Sequence, residues 1–357
     1  MKQHVQDGHE VLVIASTETH SAEGKVTYIT PREYQSVEGA RVIRIPYSRI
    51  LPKKLMRKLR MHNGLRKLLD SFRPEVILFH GTCGWELLTV TQYVKNNPET
   101  LFYVDSHEDK YNSGRTWLSK ELLHKQYYGK ILRCVAPFVR KVLCYSKESM
   151  AFVEETYLIS REQLELFPLG GIPIPDDEYE LRRTVTRKEL SLNDGQTLIV
   201  QSGKLTRRKK ILESLAAFKS IENKNLRFII VGVIEKAIKD EVIARIEADE
   251  RVRFLGWQSF EELTNTLCAA DIYLQPGTQS VTMQQSLCCR CAVVLDDVPS
   301  HHMYVQGNGW LVERDGTLES VMGKIANADL ESMKSVSHQI AKKYLDYAVL
   351  ATRVLHS

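Results

Sequence analysis

Short apolar runs recur along the whole chain, each ended by a polar or glycine-bearing cluster and followed by helical periodicity. In the first half they are Val11–Ala15, Ala40–Ile45, Glu75–Phe79, Leu101–Val104, Lys141–Tyr145 and Glu165–Phe167. In the second half they are Thr197–Gln201, Arg227–Val231, Val252–Leu255, Ile272–Gln275, Ala292–Leu295 and Gly309–Val312. Runs this short and this apolar read as strands buried on both faces. Strands alternating with helices argue for parallel βαβ units with right-handed crossovers. The expected fold class is therefore α/β, with two doubly wound halves.

One cluster, Pro168-Leu169-Gly170-Gly171-Ile172-Pro173-Ile174-Pro175, interrupts the alternation, and the charged stretch Asp176–Arg187 follows it. Together they mark a boundary. A chain of 357 residues suits two domains. The expected division is a first domain over 1–170, a linker over 171–195, a second domain over 196–335 and a closing helix over 336–357. The closing helical pattern itself runs from Leu330 to Leu355. The first residues depart from the doubly wound pattern. MKQHVQDGHEVLVIAST reads as a helix end, a stop at Gly8 and a strand, whereas such a domain normally opens with a strand and a glycine loop before that helix. The opening strand is expected to be absent, which would leave its neighbours with unpaired backbone and apolar surface.

Composition narrows the class. A hydrophobic content of 43% with 26% charged residues is ordinary for a soluble globular protein. The net charge of +5 is too small to argue for nucleic acid. No apolar stretch reaches the roughly 18 residues of a membrane span, and Met1–Asp7 does not read as a signal peptide. Seven cysteines, mostly inside apolar runs, fit reduced thiols in a cytoplasm.

Three stretches carry candidate chemistry. In LIVQSGKLTRRKKILESL, from Leu198 to Leu215, a strand stops at Ser202-Gly203 and a helix begins near Ile211, with Lys204, Arg207, Arg208, Lys209 and Lys210 in the turn. A glycine that admits close backbone approach, a helix start and full cations together suit a diphosphate; a solvated basic turn is the alternative. Neither GxxxxGK[ST] nor GxGxxG is present. In the first half, His80-Gly81 and Asp105-Ser106-His107-Glu108-Asp109 end neighbouring strands, where open α/β sheets bind ligands. His107 could orient a substrate hydroxyl or a phosphate there; the alternative is a capped helix start, with Asp105 or Ser106 as cap. The third stretch, 49–67, alternates Arg49, Lys53, Lys54, Arg57, Lys58, Arg60, Arg66 and Lys67 with leucines, and no acid lies between Arg41 and Leu69. It reads as a basic amphipathic helix, suited to an anionic membrane surface or to packing on the sheet. Cys288, Cys289 and Cys291 with His301 and His302 match no zinc spacing, and Asp296-Asp297 before Pro299 is explained by turn chemistry. No metal is expected.

These motifs, in this order, resemble glycosyltransferase family 4 of the GT-B fold. Gly203-Lys204-Leu205-Thr206-Arg207-Arg208-Lys209 is similar to the family's G-[RK]-L-x-x-x-K, with Lys210 where glycine is usual. RVRFLGWQSFEELTNTLCAADIYLQPG, PLGG at 168–171 and GHEVLVI near the start are similar to further family segments. The resemblance implies two Rossmann-like domains facing across a cleft, with a C-terminal helix returning towards the first. It also implies a retaining, metal-independent transfer of sugar from a nucleotide diphosphate sugar. Lys204 and Lys209 would pair with the diphosphate beside Gly203, and Val231 and Trp257 would wall the base. His107 would face the donor sugar, with His80 and Gly81 nearby on the acceptor side. The family's two glutamates, eight positions apart, fall on Gly277 and Gln285. Gln285 would then bond a ribose diol, Gln279 or Ser280 would take sugar contacts, and backbone N–H groups of Gly277–Thr282, including Val281, would meet phosphate. The expected setting is cytoplasmic and peripheral to the inner membrane face, with a saccharide or lipid-linked acceptor of surface polysaccharide assembly and no nucleic acid. A non-catalytic nucleotide-sugar-binding protein and a GT-B sugar-nucleotide epimerase are the alternatives.

Overall fold

The computed structural model describes residues 1–21, 25–109, 116–117, 119–277, 280–313, 316–325 and 327–356. The chain divides into two compact units, Met1–Pro168 with Ala351–Ser357, and Leu169–Leu350.

Among the described residues the first unit holds nine strands: β1 Leu12–Ser16, β2 Glu18–His20, β3 Val26–Tyr28, β4 Arg32–Gln35, β5 Arg41–Ile45, β6 Val76–Phe79, β7 Leu101–Ser106, β8 Lys141–Cys144 and β9 Leu164–Leu166. β6 to β9 form one parallel sheet in sequence order. β1 and β5 pair in parallel, with β4 antiparallel on the outer edge of β5. No strand among the described residues joins β1 to β6, although Ile14 and Ile43 pack into the same core as Ile77 and Phe79. The hairpin β2–β3 and strand β4 were not expected: their sequences alternate too briefly to stand out.

The second unit is doubly wound. Its strands are β10 Thr197–Leu205, β11 Leu226–Ile234, β12 Val252–Gly256, β13 Ile272–Gln275, β14 Ala292–Asp296 and β15 Gly309–Val312. All pair in parallel, in the order β12-β11-β10-β13-β14-β15. Successive residues serve opposite faces. Ile199, Phe228 and Ile230 enter one core, while Leu198, Val200, Ile229 and Val231 enter the other. Strand order reverses between β10 and β13, the point at which such sheets open a crevice at their carboxyl ends.

Two expectations are corrected. Residues 171–195 are not a loose linker. Asp176–Glu189 is a helix of the second unit, with Tyr179 buried and Arg183 and Arg187 reaching the carbonyls that end helix Phe260–Ala269. The closing helix is not continuous either. Helix Leu330–Ile340 widens over Ala341–Leu345 and stops at Asp346, where Gly171 takes the next two backbone bonds, Gly171 N–H to Leu345 O at 2.7 Å and Tyr347 N–H to Gly171 O at 3.2 Å. Helix Tyr347–His356 then begins. In the first unit, Val354 packs with Tyr103 and Leu143, and Arg353 donates to Leu166 O.

Candidate functional site

In the second unit the predicted residues gather at the switch point. β10 and β11 run in register to the facing glycines Gly203 and Gly232. Gly232, at φ +127°, has no room for a side chain: a Cβ there would lie 2.0 Å from the Gly203 carbonyl. The turn Arg207–Lys209 follows, held by Gln201, whose amide donates to Lys209 O at 2.8 Å. Lys204 is exposed and Lys209 half-buried, and burial pushes the Lys209 ammonium down to about 8. Lys210 serves differently. It sits at φ 49°, the left-handed conformation that favours glycine, and its ammonium pairs with Asp296 at 2.8 Å.

The loop after β13 closes on this turn. A Cβ on Gly277, at φ +137°, would lie 2.4 Å from Arg208 O. In this conformation position 277 has no room for a side chain without backbone movement. Ser280 caps helix Val281–Cys288, accepting from Met283 N–H and donating to Gln275 at 2.6 Å. Gln275 also accepts from Tyr273, whose hydroxyl meets that of Ser202 at 3.0 Å. This Ser202–Tyr273–Gln275–Ser280 network braces both loops, and it is not visible in the sequence because its members come together only once β10 and β13 pair. Val281 is exposed at the helix start.

Two assignments change. Val231 lies in the core, 2% exposed, so it walls no base. Gln285 is also buried, and its amide is spent on Ile172, accepting from the N–H at 3.0 Å and donating to the carbonyl at 3.3 Å. With Gln284, which accepts from Gly170 N–H at 2.7 Å, it clamps the PLGG stretch rather than a ribose. Gln279 lies outside the described residues. Trp257, just past β12, is 73% exposed.

In the first unit His80, Gly81 and His107 converge on Asp105, the residue that sequence reading treated only as a cap. Asp105 accepts from Gly81 N–H at 2.7 Å, and its other oxygen lies 2.5 Å from His80 Nδ1 and 3.6 Å from His107 Nε2. Burial raises the Asp105 carboxyl, but the hydrogen bonds and charges of His107 and His80 outweigh it and hold the group well below the usual range. The same hydrogen bond raises His107, against its burial. His107 also stacks on Tyr145, centroids 5.2 Å apart.

The expected basic helix over 49–67 is two short helices, Lys53–Leu59 and Leu65–Phe72, parted at Arg60, φ 51°, and Gly64, φ 92°. Arg57 lies over the Tyr28 ring and Arg66 pairs with Asp70. Ile50, Leu51 and Leu55 are exposed beside Lys53 and Lys54. No helix among the described residues is long and apolar enough to cross a membrane.

No curated protein matches the chain by sequence. Two family descriptions do: Glycosyltransferase Family 4 over residues 1–170 and Glycosyl transferases group 1 over residues 196–328. Among solved structures, HepE of Anabaena in complex with UDP is 15% identical over 89% of this chain and 85% of its own, with a TM-score of 0.64. A sucrose-phosphate synthase of Thermosynechococcus elongatus is 13% identical over 99% and 89%, with a TM-score of 0.66. A glycosyltransferase of Rickettsia africae is 12% identical over 99% and 90%, also at 0.66. At such identities the likeness establishes the fold. With both halves matched in order, the chain belongs to the family 4-type glycosyltransferases of GT-B fold.

Proposed function

We propose that this glycosyltransferase moves a hexose, with retention, from a nucleotide diphosphate sugar to a saccharide or lipid-linked acceptor in surface polysaccharide or glycoconjugate synthesis. The observation that carries the reading is the pair Lys204, near the end of β10, and Lys209, on the turn that follows it at the switch point. Two cations there would stabilise the charge that develops on the departing nucleotide. Support also comes from HepE, solved with UDP, with UDP and glucose, and with UDP-glucose. WaaG, a glycosyltransferase involved in lipopolysaccharide biosynthesis at a TM-score of 0.52, supports the acceptor class. The test is thermal shift with UDP, GDP, ADP and CMP. A nucleotide at 100 times its dissociation constant stabilises by about 2.7 kcal/mol. A chain that none of them shifts would refute the reading.

Binding should depend on pH through Lys209. Its folded value of about 8 lies below that of an unfolded lysine, near 10.4. Folding thus disfavours its charged form, and the stability of the free protein rises as pH climbs from 8 towards 10. Diphosphate affinity moves the other way, falling roughly tenfold or more as the charge-assisted bond is lost. Nucleotide titrations at pH 7 and 9.5 measure this. Lys209→Arg, charged throughout, should flatten the profile.

The exposed Ile50, Leu51 and Leu55 beside Lys53 and Lys54 are assigned to an anionic membrane surface on the cytoplasmic side. Co-sedimentation that ignores anionic lipid content would reject the assignment.

A further inference from the structure

We infer that the hairpin β2–β3 and helix Lys53–Leu59 carry a saccharide-binding subsite, built on Glu18, Tyr28, Tyr47 and Arg57 and suited to one neutral pyranose ring. Glu18 and Tyr28 are direct partners across the antiparallel hairpin, so their side chains share a face. Glu18 Oε2 accepts from two phenol hydroxyls, that of Tyr28 at 3.2 Å and that of Tyr47 at 3.3 Å. The Arg57 guanidinium lies 3.5 Å from the centre of the Tyr28 ring. Tyr28 and Tyr47 meet edge to face with centroids 6.3 Å apart, and His62 lies against Tyr47 at 4.4 Å. Tyr28 nevertheless stays 36% exposed. Val26, two positions earlier and so on the same face, is 53% exposed.

A mere fastening for the hairpin would need less. One hydroxyl on Glu18 ties β2 to β3, and a guanidinium this close would pair with the carboxylate. Instead both hydroxyls crowd one oxygen. Among the described residues Glu18 Oε1 has no hydrogen-bond partner, and the half-buried Arg57 guanidinium lies on a ring face with no carboxylate against it. The backbone beneath Glu18 is fixed. Arg44 Nη1 donates to Ser16 O at 3.0 Å and to Glu18 O at 3.4 Å, and its Nε donates to Tyr34 at 3.3 Å. An open carboxylate oxygen, a guanidinium fork with its donors uncommitted and a phenol ring thus meet on one exposed face. A pyranose carries the matching set: hydroxyls around its rim that both donate and accept, and an apolar C–H face to lie on an aromatic ring. A phosphate matches less well, since Glu18 repels it. A lipid tail matches less well too, since it would bury both charged groups without partners. These elements are not the ones that carry His80, Asp105 and His107. The subsite names a contact for the saccharide acceptor and rests on that part of the proposed function. The nucleotide shifts probe the second unit, so either reading can fail alone.

The experiment is saturation-transfer NMR on the full chain with the methyl glycosides of glucose, galactose, mannose and N-acetylglucosamine. At least one should bind with a roughly millimolar dissociation constant. Arg57→Ala should weaken it roughly tenfold, the loss of a charge-assisted hydrogen bond, and leave the melting curve in place. Tyr28→Ala should weaken it as much. Tyr28→Phe, which keeps the ring, should stay within roughly twofold of the parent. Lys58→Ala, an exposed change of charge on the same helix, should bind as the parent does. A panel in which no glycoside binds below roughly 20 mM overturns the subsite. So does binding that survives unchanged in both Arg57→Ala and Tyr28→Ala, or a loss in Lys58→Ala equal to that in Arg57→Ala.

Discussion

Glycosyl transfer by the Lys204→Ala, Lys209→Ala double variant is expected to fall by about 10³–10⁴, with the loss in kcat larger than in KM. One ammonium sits near the end of β10 and the other on the turn before helix Ile211–Lys219, where, on the proposed function, a departing diphosphate would gain charge. Removing one preorganised group of this kind costs about 10²–10³ in rate. The second removal should be less than additive, since both act on one leaving group. The exposed Lys204 should tolerate arginine. Lys209 should tolerate it less well, because the position is half-buried and a planar fork is bulkier than a compact ammonium. Initial rates at saturating donor, with thermal melts as a control for folding, make the measurement. A double variant within tenfold of the parent would remove these lysines from the mechanism.

Asp271→Ala should lower stability by about 3–5 kcal/mol, the range for breaking a buried ion pair by removing one partner. The carboxylate has a side-chain exposure of 6% and lies 2.5 Å from Arg183, 3.3 Å from Arg187 and 3.4 Å from Lys334. It also accepts from Leu198 N–H at 2.8 Å, at the start of β10. Burial raises its carboxyl, but Arg183, the Leu198 bond and Lys334 together bring it below its ordinary value. The linkage sign follows: its contribution is complete above the unfolded value and fades as pH drops through the folded one. Alanine strands three cations and one N–H. The melting temperature should drop on the order of 10 °C, and urea midpoints should agree. An unchanged melt would show that solvent reaches the cluster. Asp271→Asn, which can still accept from Leu198, should cost less.

The same cluster shows what the sequence could and could not convey. Asp176–Glu189 read as a charged linker because five of its residues are acidic and four basic. In the fold, Arg183 spends its donors on Cys268, Ala269 and Ala270 carbonyls as well as Asp271, capping a helix 85 residues away. Periodicity reports a face and cannot report a partner. The strands of the second unit were legible because each is a continuous apolar run between breakers. The turn after β10 was legible as a turn because Ser202-Gly203 ends an apolar run and a helical pattern begins near Ile211. Asp105 was not, since a carboxylate beside serine reads locally as a cap. Its tie to His80, 25 positions earlier, exists only once β6 and β7 pair. Lys210 and Arg290 hold left-handed conformations at φ 49° and 65°; Lys210 stands where the family prefers glycine, and each is tied by an ion pair, to Asp296 and Asp176.

β6 has a further consequence. It is the outermost strand of its sheet, bonded along one side to β7, and it carries His80 and Gly81 at its end. Every residue from Val76 to Phe79 is only half-buried, whereas Val142 to Cys144 of β8 are buried. Local opening follows burial and pairing. Amide protons of β6 should therefore exchange before those of β7 and β8, and a brief excursion of this one strand would scatter the histidine pair while the rest of the unit stays folded.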